Sequence, residues 1–153
     1  MADLTPDQVL QKLDAGESLR GADLHGIDLA YATIEEADLR DANLAGAQLQ
    51  GAVLRGADLS GANLTHAELD EAGLLEAVLS RANLRGAELV AADLRQAGLE
   101  GADLREANLE DALVDAEQLR WAVSLEGATL PDGTTLRKKG WRDQWETWRG
   151  ETA

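Results

Sequence analysis

Gly21-Ala22-Asp23-Leu24-His25 is followed by Gly26-Ile27-Asp28-Leu29-Ala30, and the chain runs on in fives without a slip to Asp111-Ala112-Leu113-Val114-Asp115. Take the large apolar residue as the centre of each unit. From position 24 to position 114, 17 of 19 centres are Leu, the others being Ile34 and Val114. Two residues earlier, 18 of 19 positions are Ala, Ile27 being the exception. Ten of the 19 residues in between are Asp or Asn, so the unit reads Ala-(Asp/Asn)-Leu-x-x. A period of five suits neither common element. In an α-helix, five residues advance the direction by about 500° and scatter the Leu round the axis. In a flat strand, a step of five turns the side chain to the opposite face. The pattern is satisfied if the chain turns a corner in every unit. Each Leu then points to a shared axis, the small Ala fits beside it, and the other three residues face water.

This unit resembles the motif of the pentapeptide-repeat family. The resemblance covers Leu19 to about Leu130. It implies an all-β solenoid, a right-handed quadrilateral β-helix with four repeats per coil and about five coils. At ~4.8 Å per coil the stack is roughly 23 Å tall. In a solenoid each coil is supported only by its neighbours, so the ends need covers.

Both covers are legible. Thr5-Pro6-Asp7-Gln8 is a capping box with Pro at the first helical position, and Leu4 and Val9 stand where a hydrophobic staple would. Val9, Leu10 and Leu13 form the apolar stripe of a helix over Pro6 to Ala15, stopped by Gly16. At the other end the register breaks after Val114, where Glu117 occupies an Ala slot. Asp115-Ala116-Glu117-Gln118 starts a second helix, expected near 116–123 and carrying Leu119, Ala122 and Val123. One more repeat-like stretch follows, Gly127-Ala128-Thr129-Leu130, then the turn signal Pro131-Asp132-Gly133. This ending resembles that of many bacterial pentapeptide-repeat proteins. Trp141, Trp145 and Trp148 share one face of a last helix, with Trp121 a candidate to join them. The helix is either a lid over the final coil or a dimer interface, since Trp is enriched at interfaces. The domain reading is an N-terminal cap over 1–18, the β-helix over 19–130, and a turn with a Trp-rich helix over 131–153.

Composition bounds the chemistry. There is no cysteine, hence no disulfide or thiolate. No long apolar run suggests a membrane span, and the acidic start Met1-Ala2-Asp3-Leu4 lacks a secretory h-region, so the expectation is a cytoplasmic protein. A net charge of −15 argues against nucleic acid or anionic membrane as a direct partner. His25 and His66 fall on the Leu24 face two coils apart, about 10 Å from each other, too far to share a metal. No Ser/His/Asp arrangement and no phosphate loop can be built. A convex solenoid offers no cleft to shift a carboxylate toward catalysis. The expectation is a protein that is not an enzyme and uses no cofactor or metal.

Stacking places residues twenty apart in columns, which defines candidate surfaces. The Leu29 face carries Asp28, Glu68, Asp70, Glu71, Glu88, Glu110 and Asp111 and no Lys or Arg. The Leu24 face carries a column of Asp23, Asn43, Asn63, Asn83 and Asp103, suited to hydrogen bonding along the stack. Val53, Leu75 and Val78 make an apolar patch near the corner between the Ile34 and Leu39 faces. The leading expectation is a protein-binding scaffold whose partner the sequence does not name, with a homodimer through the C-terminal helix as a further possibility. The family resemblance supplies an alternative. Some members imitate DNA in width and charge, act on DNA gyrase, and dimerise through C-terminal helices. This chain shares their acidity and an aromatic C-terminal helix, but it has no Phe at its centres and a shorter stack.

Overall fold

The structure is a computed structural model, and it describes residues 4–152. Its body is a four-sided β-helix. Parallel bridges join residues twenty apart, as in the column Asp23, Asn43, Asn63, Asn83 and Asp103, so four repeats make one coil. The faces meet as single bridges, not as extended strands, because the chain turns again after every five residues. No centre from Leu19 to Leu109 is more than 3% exposed, and every second-before-centre Ala from Ala37 to Ala112 is buried. Among the described residues no polar or charged residue is buried. Each centre removes a Leu from water, about 1.5–3 kcal/mol apiece.

One coil holds the next through a repeated set of backbone bonds. The N–H of a centre donates to the carbonyl nineteen residues ahead, as Leu64 to Asn83 at 2.7 Å. The residue before it donates backward, as Asn63 to Ala42 at 2.9 Å. The corner is a β-turn closed by Ala67 N–H on the Leu64 carbonyl at 3.0 Å. The Asp/Asn position has a local cause. Its side-chain oxygen accepts the N–H two residues on, as Asn63 Oδ1 from Thr65 at 3.1 Å, which satisfies a corner donor the ladder does not reach.

The last residue of each corner adopts positive φ, and eleven such positions carry residues other than glycine, His66 (φ 55°) and Arg81 (φ 57°) among them. Six of them, Tyr31, Glu36, Asp41, His66, Arg81 and Glu106, lean along the stack over a glycine at the same corner of the following coil. A Cβ on Gly86 would lie 2.4 Å from the His66 ring, one on Gly61 2.5 Å from Asp41, and one on Gly101 3.2 Å from Arg81.

Helix α1 spans Pro6–Asp14, with the expected capping box: Gln8 N–H donates to Thr5 Oγ1 at 3.2 Å, and Thr5 N–H to Gln8 Oε1 at 2.9 Å. Val9 is fully buried over the first coil, with Leu4, Leu10 and Leu13 packed beside it. Helix α2 is shorter than expected, Ala116–Leu119 only. Leu119 still fills its place over Leu99, but the chain then rejoins the ladder with one extra residue: Asp103 bridges Ser124, and Asn108 bridges Thr129. Val123 N–H reaches the Ala102 carbonyl while the Ser124 carbonyl receives Leu104 N–H, so two residues oppose Asp103. That bulge turns Val123 outward, against the expectation that it belongs to the helix. Thr135 then bridges Thr129 antiparallel, closing the edge of the final coil. Helix α3, Trp141–Thr152, lies over that end, its Trp145 and Trp148 buried in the common core.

Candidate functional site

The columns expected on the Leu29 face are present: Gln48 bridges Glu68, and Glu68 bridges Glu88. Asp28, Glu68, Glu71, Glu88, Glu110 and Asp111 are exposed, and Asp70 is half-buried. Neutral donors hold several of them. Gln50 Nε2 donates to Glu68 at 3.0 Å, Asn108 Nδ2 to Glu88 at 3.1 Å, and Val90 N–H to Asp70 at 2.9 Å. Among the described residues none of the seven forms an ion pair.

The other faces treat their acids differently. Asp38, Asp93 and Asp103 each receive the guanidinium two residues ahead, Arg40 at 2.7 Å, Arg95 at 2.7 Å and Arg105 at 2.5 Å. Hydrogen bonding from Arg40, and then from the Ser18 hydroxyl, holds the Asp38 carboxyl well below the usual range. Arg95 and Arg105 do the same for Asp93 and Asp103. On the Leu29 face the corresponding places hold Ala30, Gln50, Asp70, Val90 and Glu110, so no guanidinium is at hand.

The Asn column bonds along the stack in its first steps only. Asn43 Nδ2 reaches Asp23 at 2.9 Å and Asn63 Nδ2 reaches Asn43 at 3.2 Å. His25 Nδ1 lies 2.9 Å from Asp23, and the His66 ring lies over Gly86. Among the described residues no group of three His, Cys, Asp or Glu is placed to hold a metal, and no helix is long and apolar enough to cross a membrane.

The apolar patch is looser than its sequence positions suggested. Val53 (36% exposed) stands on the Ile34 face and Val78 (38%) on the Leu39 face, while Leu75 at the corner between them is half-buried. Trp145 and Trp148 stack at 5.3 Å, and the Trp148 indole donates to Asp132 at 2.8 Å. Burial opposes ionisation of Asp132, but hydrogen bonds from Thr134 and Trp148 outweigh it and leave the carboxyl below its usual range. Trp141 is half-buried with Arg142 over its ring. A second copy meeting α3 would therefore find only one of the three Trp partly outward. Trp121 makes no ring stack with them. It is 60% exposed beside a cleft of about 480 Å³ between α2 and the Leu99 repeat. Sequence reasoning missed this cleft; its one signal was the register break after Val114.

Solved structures share this architecture. Rfr23, a pentapeptide repeat protein from the cyanobacterium Cyanothece 51142, superposes with a TM-score of 0.64 at 28% identity, over 82% of this chain and 95% of its own. The pentapeptide repeat protein alr5209 from Nostoc PCC 7120 gives 0.53 at 37% identity, over 71% and 84%. Full-length QnrB1, described as a plasmid-mediated fluoroquinolone resistance protein, gives 0.47 at 17% identity, over 85% and 65%. No curated protein matches the sequence significantly. The family profile for pentapeptide repeats matches residues 18–46, 42–74 and 74–111 in eight copies, so the chain belongs to the pentapeptide-repeat family.

Proposed function

We propose that the protein is a non-enzymatic scaffold that docks a protein partner through its Leu29 face, and that the partner surface is basic. The observation that carries this is the unequal treatment of acids. On the other faces Asp38, Asp93 and Asp103 are each neutralised by an Arg two residues on. The Leu29 face stacks Glu68 directly against Glu88 and supplies no cation. Like charges opposed across a ladder are mildly destabilising, so the arrangement gains from an external cation. A flat, regular face suits a protein surface better than a small molecule. The same field repels polyanions, which disfavours direct binding to nucleic acid.

The test reverses Glu68, Asp70, Glu71 and Glu88 to Lys and uses wild type and variant as paired baits in host lysate. Proteins held by the wild type and lost by the variant, with salt weakening the capture, are the expected result. Identical capture by the two baits, with the variant's melting preserved, would remove the face from the reading. A gyrase supercoiling assay separates the alternative. No effect of the wild type at micromolar concentration is expected. Inhibition or protection abolished by the charge reversal would replace the scaffold with a DNA mimic.

A further inference from the structure

Asp132-Gly133 is the only Asp-Gly pair in the sequence, and there is no Asn-Gly. Such a pair has a chemistry of its own. The Gly amide nitrogen can attack the Asp side-chain carboxyl carbon, because glycine has no Cβ to obstruct the approach. An N–Cγ bond forms, the amide gives up its proton and the carboxyl its hydroxyl, and the two leave as water. Water then opens the five-membered succinimide at either carbonyl. Opening at the α-carbonyl gives isoaspartate, in which the main chain runs through the former side chain and is longer by one methylene.

The structure holds every participant. Gly133 N–H donates to the Leu130 carbonyl at 2.9 Å, closing a turn over residues 130–133. Thr134 N–H donates to Asp132 Oδ1 at 2.9 Å, and Trp148 Nε1 donates to Asp132 Oδ2 at 2.8 Å. The nucleophile is thus engaged and both carboxyl oxygens are tied. Burial favours the neutral carboxyl, but these hydrogen bonds outweigh it and keep Asp132 ionised. An ionised carboxyl is slow to cyclise, because its oxygen must first gain a proton to leave as water. Two of the three ties belong to the turn and travel with it. The third exists only while α3 lies on the last coil, and terminal elements are the first to open locally. Asp132 and Gly133 are exposed, so the water that opens the ring is at hand.

We propose that Asp132-Gly133 is a site of spontaneous aspartate isomerisation, and that α3 holds it in check through Trp148. The reaction needs no reagent but water. The added methylene displaces the carboxylate, so Trp148 loses its acceptor and α3 loses an anchor on the final coil. Isomerisation therefore loosens the helix that restrains it, and a modified chain stays modified.

The experiment incubates the full chain at neutral pH, below its melting point. Trypsin, cutting after Arg120 and Arg137, then releases the peptide 121–137. Liquid chromatography with electron-transfer mass spectrometry separates its isoaspartyl and aspartyl forms, which have equal mass. The wild type should gain isoaspartate at position 132 slowly. Trp148→Phe should speed the reaction about tenfold, the scale of one lost hydrogen bond to a charged group. Truncation after Lys139 should bring the rate close to that of the free peptide 121–137. Gly86→Ala, where the added methyl meets His66 and not α3, is a control for destabilisation and should react as the wild type does. Equal acceleration by Gly86→Ala would trace the effect to global unfolding and overturn the role of α3. So would an unchanged rate in Trp148→Phe or in the truncated chain. No isoaspartate at position 132 in the truncated chain would overturn the site itself.

Discussion

Replacing Gly86 by Ala should cost about twice as much as replacing Gly46 by Ala, although both close the same corner of the Leu24 face. The backbones are nearly identical, with φ of 66° and 65°. In either place an Ala enters the left-handed region, at about 1 kcal/mol. Their surroundings differ. Nothing lies within 4 Å of a Cβ built on Gly46, whereas one on Gly86 would lie 2.4 Å from His66 Nδ1 and 2.5 Å from its Cε1. The His66 ring must leave its rotamer, which adds about 0.5–1.5 kcal/mol. The expected losses are therefore about 1 kcal/mol for Gly46→Ala and about 2 kcal/mol for Gly86→Ala. In a His66→Gly background Gly86→Ala should fall back to about 1 kcal/mol. Thermal melts followed by far-UV circular dichroism resolve this, since 1 kcal/mol shifts the midpoint by about 2–4 °C in a chain of this size. The other five corners with a leaning side chain rest on the same geometry. Equal losses at Gly46 and Gly86, or no rescue by His66→Gly, would show that the ring swings aside freely and that corner side chains do not constrain the next coil.

Four further outcomes follow from the same structure. Leu64→Asp should unfold the domain, because it places a charge among fully buried Leu, while Val53→Asp, on an exposed face, should stay within about 0.5 kcal/mol of wild type; melting of the two variants tests the register. The Asp38 carboxyl is held below its usual range by Arg40, so its stabilisation is present above the unfolded pKa near 3.9 and is lost as pH falls through the folded value. Asp38→Asn should therefore lower the melting temperature at pH 7 and flatten its decline below about pH 4, and melts across that range check both signs. Trp148→Phe keeps the stack on Trp145 but removes the indole donor to Asp132; a loss of about 1–2 kcal/mol, with a weakened near-ultraviolet signal, is expected. Truncation after Lys139 should lower the melting temperature without changing the number of chains per particle found by light scattering, because Trp145 and Trp148 (6% and 7% exposed) cover this chain's own last coil. A halved mass would instead mark α3 as the joint of a dimer.

The centres, the Ala slots, the first capping box and the second helix start were readable because each depends on local spacing. Thr5 and Gln8, or Asp115 and Gln118, need only be three residues apart to satisfy each other. The length of α2 was not readable. Ala122 and Val123 look helical by type, but Val123 N–H is claimed by the Ala102 carbonyl, which lies 21 residues back in sequence and adjacent in space. The lean of the corner side chains was equally hidden, since it shows only once coils are superposed and His66 is found over Gly86. For the candidate surfaces, the acidic column followed from counting by twenties. The cleft did not, because it arises where that counting stops. Its lining residues Gly98 and Leu99 sit in a repeat whose own sequence is ordinary.

The lean of the corners sets how this protein can be lengthened. At the corner that follows the Leu39 face the residues read Gly21, Asp41, Gly61, Arg81, Gly101, a long side chain and a bare one by turns. From Gly46 onward the corner after the Leu24 face does the same, with His66, Gly86 and Glu106, and the phase is shared. Copying a single twenty-residue coil in place would break the alternation at both corners, setting two bulky or two bare residues in succession. Copying forty residues would not. Duplication in pairs of coils is thus the smallest extension that keeps the alternation at these two corners, whereas the corner after the Ile34 face already sets Glu76 and Gln96 in succession and accepts a single added coil.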